Sequence, residues 1–64
     1  GVFFVETNTR SVMNILSLTG KIVYQDYLEA GSNQIVTSLD AGIYIVQTID
    51  DNNVMNTEKL IIRK

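Results

Sequence analysis

Six short runs of β-branched and aromatic residues fill this 64-residue chain, and that pattern constrains the fold more than any other feature. Clusters of Gly, Asn, Asp and Ser separate the runs, a spacing typical of antiparallel sandwiches and barrels. A helix is disfavoured because no apolar series recurs with helical spacing. The predicted strands are Val2–Glu6, Val12–Leu18, Lys21–Leu28, Asn33–Leu39, Gly42–Asp50 and Val54–Arg63.

The fifth run has apolar side chains on both faces. Alternation places Tyr44 and Val46 on one face. It places Ile43, Ile45 and Ile49 on the other. Apolar residues on both faces suit a central strand of a two-layer fold, or a surface that meets another domain. We therefore expect a small antiparallel β-sandwich with one partly apolar outer face.

The third run carries two of the three tyrosines. Regular alternation predicts that Ile22 and Tyr24 share one face and that Val23 and Gln25 share the other. Tyr24 and Tyr27 are an odd number of residues apart, so they cannot lie on one face of a regular strand. A sugar-binding aromatic platform is therefore disfavoured. In the first run, we expect Phe3 and Phe4 to contribute side chains to the core and to an interface.

Glycines mark the predicted corners of the fold. A tight hairpin needs a residue at positive φ, which glycine adopts without a Cβ clash. Gly20, followed by Lys21, is expected to form such a turn. Gly31 and Gly42 are expected to adopt the same conformation at other corners.

The length and composition of the chain limit its stability and argue against a membrane span. A domain of this size buries only about 60% of its unfolded surface, so its stability is marginal. The chain has no Cys and no His, which removes disulfides and the commonest zinc ligands. It must therefore rest on apolar packing, or on contacts outside the 64 residues. No apolar run approaches the ~20 residues of a membrane span.

The charge pattern argues against nucleic acid as a partner. The net charge is −2, and the five basic residues are Arg10, Lys21, Lys59, Arg63 and Lys64. Only the last three cluster, which falls short of the basic stripe that phosphate binding requires. Anionic membranes are disfavoured for the same reason.

Catalysis is also disfavoured by the residue types present. Without Cys or His, the usual nucleophile and base pairs are missing, and only a Ser–Lys arrangement through Lys21 or Lys59 survives in principle. Paired carboxylates would need a substrate cleft, which so small a β domain seldom builds. We expect no enzyme activity and no cofactor.

Residues 50–53, Asp-Asp-Asn-Asn, form the sole metal-like run in the sequence. Carboxylate and amide oxygens can bind calcium, but this run lacks the glycine and the distal bidentate Glu of an EF-hand loop. A polar hairpin turn between two strands is the favoured interpretation, because Asp and Asn tolerate left-handed geometry. Calcium binding at this turn is left open.

Three motifs, taken together, resemble a known family. They are Ile-Leu-Ser-Leu-Thr-Gly-Lys at 15–21, Leu-Asp-Ala-Gly-Ile-Tyr at 39–44 and Lys-Leu-Ile-Ile-Arg-Lys at 59–64. Their order and spacing look like the type A C-terminal sorting domain of the type IX, or Por, secretion system of Bacteroidetes. That family reads approximately as a Gly-Lys/Arg turn, then Leu-x-x-Gly-Ile/Val-Tyr, then a last strand with a basic ending.

The resemblance implies a fold and a domain organisation. It implies an all-β, immunoglobulin-like antiparallel β-sandwich of about six to seven strands. Residues 1–64 would be a single sorting domain, a fragment of a larger secreted protein. The chain has no proline, so the family's upstream Pro-containing box is missing. An edge left unpaired by that loss is expected to allow strand-mediated self-association.

The resemblance also implies a non-enzymatic address label. Such a domain folds in the periplasm and directs its cargo through the outer-membrane translocon to the cell surface. A sortase-like peptidase commonly then removes it. The implied partners are therefore the translocon, the peptidase and the parent cargo domain. The alternative is a β-sandwich accessory module that binds glycan or packs against a catalytic domain of a secreted protein.

Recognition by the translocon is expected at the central and terminal motifs. The basic ending has two interpretations: cations that guard an apolar edge against aggregation, or a charged terminus presented to a receptor. The resemblance favours the second. The expected recognition residues are Leu39, Gly42, Tyr44, Lys59, Leu60, Ile61, Ile62, Arg63 and Lys64.

Overall fold

The structure, a computed structural model, describes residues 2–63, and every regular element in that range is a β-strand. The predicted all-β class is therefore confirmed, with six strands in the described residues. Gly1 and Lys64, which the sequence predictions include, lie outside the described residues. The strands are β1 (Val2–Thr7), β2 (Ser11–Leu16), β3 (Ile22–Leu28), β4 (Gly31–Val36), β5 (Gly42–Asp50) and β6 (Met55–Ile62).

Two antiparallel sheets make up the sandwich. The larger sheet has the order β3-β2-β5-β6, and the smaller one contains β1 and β4. Because a two-stranded sheet is at best marginally stable in water, the smaller sheet depends on packing against the larger one. Within residues 2–63, each of β1, β3, β4 and β6 has one edge without a paired strand.

The buried core is small and lies to one side. Met13 and Ile15 from β2, Leu28 from β3 and Ile35 from β4 are almost completely inaccessible to solvent. These four side chains join the two sheets at the β2, β3 and β4 side of the sandwich. Eight partly buried residues pack around them: Phe3, Val5, Val23, Tyr24, Leu39, Tyr44, Val46 and Leu60. The predicted core role of Phe3 is thus confirmed, whereas Phe4 is 68% exposed.

The hairpin between β2 and β3 begins earlier than predicted. The Ser17 amide donates to the Lys21 carbonyl at 2.8 Å, and the Gly20 amide donates to the Ser17 carbonyl at 2.9 Å. These bonds close the turn immediately after Leu16, so the predicted extension of β2 to Leu18 is wrong. Gly20 supplies the positive φ, at 91°.

A β-bulge overturns the predicted faces of β3. Tyr24 pairs with Ile15, but the next pair along the ladder joins Leu16 to Ile22, so Val23 is the extra residue. Ile22 therefore points outward, while Val23 and Tyr24 both pack against the core. Regular alternation across this stretch does not hold, because a bulge reverses the side of every residue beyond it.

The turn between β3 and β4 is braced by Asn33. Its side-chain Nδ2 donates to the Glu29 carbonyl at 2.8 Å, and its Oδ1 accepts from the Glu29 amide at 3.0 Å. Gly31 adopts a φ of 107°, which an L-residue rarely reaches. Since Gly31 pairs directly with Thr7, β4 begins at Gly31 rather than at Asn33 as predicted.

Candidate recognition site at the last strand

β6 is an edge strand whose two faces differ. Within residues 2–63 it pairs with β5 alone, so its second edge is open. Leu60 and Ile62 are partly buried and face the smaller sheet, whereas Lys59 and Ile61 point away from it. Arg63 follows directly and is exposed. The last strand therefore turns Leu60 and Ile62 inward and presents the cation of Lys59 outward beside the apolar Ile61.

The corner before β5 is closed by a tyrosine. The Tyr44 hydroxyl donates to the Asp40 carbonyl at 2.7 Å, which ties the strand back to the chain that leads into it. Leu39 packs against the core from the same corner. A short stretch of chain is thereby fixed by one partly buried side chain and one hydrogen bond.

Gly42 does not adopt the positive φ predicted for it, which is confined to Gly20 and Gly31 among the described glycines. It opens β5 in an extended conformation that any residue can adopt. Its surroundings are also permissive, because an added Cβ would lie 3.7 Å from Cε2 of Tyr44, an ordinary van der Waals distance. The ring of Tyr44 covers Gly42, but neither conformation nor space strictly requires glycine there.

The two motifs that lie far apart in the sequence are neighbours in the larger sheet. Tyr44 is opposite Leu60, and Gly42 is opposite Ile62. On the other side of the same strands, Ile43 is opposite Ile61. The antiparallel pairing of β5 with β6 therefore joins the corner and the terminal strand into one surface.

Lys21 lies at the same end of the larger sheet as this surface. The β2–β3 turn follows Leu16, which pairs with Ile45 near the start of β5. Arg63 follows β6 at that end as well. Glu6, Glu29, Asp50 and Asp51 lie at the opposite end, where Arg10 forms an exposed ion pair with Glu29 at 3.1 Å. Asp40, which precedes β5, also lies at the end that carries Lys21 and Arg63, but the two ends of the sandwich still differ in charge.

A cleft separates β1 from the inner side of β5 and β6. Its volume is about 610 Å³, and its apolar lining includes Phe3, Val5, Val46 and Leu60. Glu58 and Asn56 add polar groups along the floor contributed by β6. This half of the sandwich is consequently open, in contrast to the half that holds the four buried residues.

The turn at residues 50–53 is held by its own carboxylate. Asp50 Oδ1 accepts from the amides of Asn52 and Val54, each at 2.9 Å. Asn53 adopts a φ of 62°, and its amide donates to the Asp50 carbonyl at 3.0 Å. The predicted polar hairpin turn is confirmed. Over residues 2–63, no group of three or more His, Cys, Asp and Glu is placed to hold a metal ion.

Tyr24 is the one described residue whose titration is clearly shifted. Its pKa is raised above the ordinary value of 10.0, first by desolvation and then by Asp26, whose carboxylate Oδ2 accepts a hydrogen bond from the tyrosine hydroxyl at 3.2 Å. Tyr27 points outward and is 78% exposed. The two tyrosines therefore lie on opposite faces of β3, as predicted.

No helix of the structure, over the residues it describes, is long and apolar enough to cross a membrane.

Comparison with known proteins assigns the chain to a family. A family model described as "secretion system C-terminal sorting domain" matches residues 1–63. The chain belongs to this family, and is thus a type IX C-terminal secretion signal, which implies export and secretion to the cell surface. Domains of this family are in general non-catalytic. Membership in the family implies interaction with the type IX machinery. Searches of curated proteins and of solved structures each returned no significant match.

Proposed function

We propose that this chain directs a cargo protein through the type IX outer-membrane translocon and has no catalytic role itself. The single observation that carries this proposal is the family match over residues 1–63. The accessory-module alternative is not favoured by that match. In this proposal, residues 1–64 are the sorting domain of a larger secreted protein, reach the translocon from the periplasm and become the substrate of a sortase-like peptidase.

The proposed recognition surface is the joined corner and last strand. It consists of the exposed cationic ending after β6 and the neighbouring corner held by Tyr44, which the β5–β6 ladder brings together. Leu39, Leu60 and Ile62 shape this surface from the inside, because they are partly buried. Ile61 and Lys59 present side chains outward. Gly42, opposite Ile62, and the terminal Lys64 complete the proposed set.

Export of a fused reporter tests this proposal. A reporter carrying the chain, with an upstream Pro-containing box restored, should reach the surface of a bacterium that has a type IX system. Replacing both Arg63 and Lys64 by Glu should retain the reporter in the periplasm, because the charge after β6, where Arg63 is exposed, is reversed. The matched control, Arg10→Gln, removes a cation at the opposite end and breaks only an exposed ion pair.

Two outcomes distinguish recognition through the basic ending from the sorting role as a whole. Normal surface delivery of the Arg63/Lys64 double variant would rule out recognition through the basic ending while leaving the sorting role intact. Failure of the unaltered fusion to leave the periplasm would contradict the sorting role itself. Mass spectrometry of the surface form then tests the peptidase step, because a cleaved product lacks these 64 residues.

Strand-mediated self-association remains part of the proposal. The edge of β1 that faces the cleft has no paired strand within residues 2–63, and β1 carries neither Lys nor Pro to discourage strand addition. A strand from a second copy that pairs with β1 would cover Phe3 and Val5. Concentration-dependent protection of β1 amides from hydrogen exchange is the expected sign, and unchanged exchange would contradict it.

A further inference from the structure

We propose that the outer face of the larger sheet binds a second copy of this chain, face to face about a two-fold axis. The outer face is the side of β3, β2, β5 and β6 that points away from β1 and β4. It is largely apolar even though the core lies on the other side of the sheet. Tyr27, Met55, Ile22 and Ile61 on this face are each at least 50% exposed. Exposed apolar residues grouped on one face in this way mark an interaction site.

The strand pairing arranges this face in three rows that run across all four strands. Residues paired in register point to the same side, so each row can be followed from strand to strand. The tyrosine row contains Tyr27, Val12, Ile49 and Met55. The amide row contains Gln25, Asn14, Gln47 and Thr57. The lysine row contains Ile22, Leu16, Ile45 and Lys59.

The chemistry of the rows is self-complementary. A polar row lies between two largely apolar rows, so a half-turn about an axis along the amide row places amide groups on amide groups and apolar groups on apolar groups. Primary amides both donate and accept hydrogen bonds, which makes them suited to pair with their own kind. Gln25 Nε2 already donates to Asn14 Oδ1 at 2.7 Å within one copy. Such a symmetric surface is what an isologous dimer requires.

Charge complementarity selects this axis over one that runs along the strands. Lys59 is the single charged member of the three rows and stands at the end of the lysine row. Rotation about the amide row carries Lys59 of the second copy over Met55, the first residue of β6, next to the β5–β6 turn in which Asp51 is exposed. A depression of about 500 Å³ lies beside this turn, toward β2 and β3, and is lined by Tyr27, Ile49 and Asp51 among others.

The charged groups that line this depression together favour the approach of a cation such as Lys59. They are Arg10, Glu29, Asp50 and Asp51, of which Arg10 and Glu29 neutralise each other through their ion pair. Rotation about an axis along the strands would instead bring Lys59 over Ile22 of the second copy, next to Lys21, which carries the same charge. The first arrangement is therefore the one that the charges support.

The area of the outer face sets the expected strength of association between two copies. Four strands about 4.8 Å apart and seven residues at about 3.4 Å give a footprint of roughly 450 Å² per copy. This area is below that of a standard stable interface, which buries about 800 Å² per partner. We therefore expect a weak dimer with a dissociation constant between about 10 μM and 1 mM.

Two measurements over that concentration range test the proposal. They are nuclear magnetic resonance of the labelled 64-residue chain and sedimentation. The side-chain amide signals of Asn14, Gln25 and Gln47 should shift with concentration as the mass approaches that of a dimer. Gln47→Lys should weaken association at least tenfold, because the axis brings like charges together. Gln34→Lys is the matched control, since Gln34 lies on β4, in the smaller sheet, and should leave association unchanged.

A charge swap checks the orientation of the two copies. Lys59→Glu should weaken association, and adding Asp51→Lys to it should restore association. A chain that stays monomeric to about 1 mM would overturn the proposal. So would a dimer that survives Gln47→Lys, or concentration-dependent shifts confined to the amides of β1, which would assign association to the strand edge. The spectra of each variant report directly whether it is folded.

Discussion

The two halves of this sandwich are packed to different degrees. On the side of β2, β3 and β4, Met13, Ile15, Leu28 and Ile35 are at most 2% exposed. On the side of β1, β5 and β6, the sheets enclose a cleft of about 610 Å³. The difference separates two tasks, because the closed half holds the fold together while the open half keeps the last strand accessible.

The largest expected effect is a loss of core volume in the closed half. Met13→Ala should lower the free energy of unfolding by about 2–5 kcal/mol, since the side chain is fully buried and the site can relax only partly. Because domains have total stabilities of about 5–15 kcal/mol, this change should leave a large unfolded population. Urea denaturation followed by circular dichroism measures it.

Leu60→Ala is the counterpart in the open half. Leu60 is only partly buried, so its truncation removes less apolar area from contact, and we expect a loss of about 1–2 kcal/mol. If the two substitutions were equally destabilising, the division of the molecule into a closed and an open half would be wrong.

Two glycine substitutions are expected to lower the free energy of unfolding by less than Met13→Ala does, and by different amounts from each other. Gly31→Ala forces a Cβ into a conformation with φ at 107° and should cost about 1–2 kcal/mol. Gly42→Ala should change stability by less than about 0.5 kcal/mol, because its φ is ordinary and the nearest ring atom stays 3.7 Å from the new Cβ. Thermal unfolding of both variants decides the point, and a large loss at Gly42 would contradict it.

The glycines also illustrate what the sequence could and could not predict. Strand number, the all-β class and the placement of Tyr24 and Tyr27 on opposite faces follow from local pattern, because alternation and turn chemistry act over a few residues. The bulge at Val23 does not, since one extra residue in a ladder leaves no distinct local signal. The same limit applies to Gly42, whose φ depends on how the corner is closed by Tyr44.

The candidate site was predicted in its parts but not in its assembly. The motifs at 39–44 and 59–64 were recognised separately, and only the β5–β6 register places Tyr44 opposite Leu60. The cleft and the three rows of the outer face also depend on strand order, which places β2 between β3 and β5. Strand order arises from long-range packing, so composition and spacing alone do not determine it.

A smaller effect is expected at the corner that links the two halves. Tyr44→Phe removes the hydrogen bond to the Asp40 carbonyl but keeps the ring over Gly42, so it should cost about 0.5–1.5 kcal/mol. Chemical denaturation measures the loss. Hydrogen exchange should show faster opening of residues 39–44, with little change in β2. Uniform acceleration throughout the chain would mean that the corner and the closed half unfold together.

The smallest effect should appear only in alkaline solution and only through the closed half. Desolvation and then Asp26 raise the pKa of Tyr24 in the folded chain above the ordinary value of 10.0. The folded state therefore binds more protons than the unfolded state as pH rises past about 10, and stability falls in that window. Below it the contribution is fully present. Tyr24→Phe should remove this component of the decline, whereas Tyr27→Phe, at an exposed position, should retain it. Unfolding midpoints measured between about pH 9 and pH 11 distinguish the variants, and an identical slope in all three proteins would exclude Tyr24 as the titrating group.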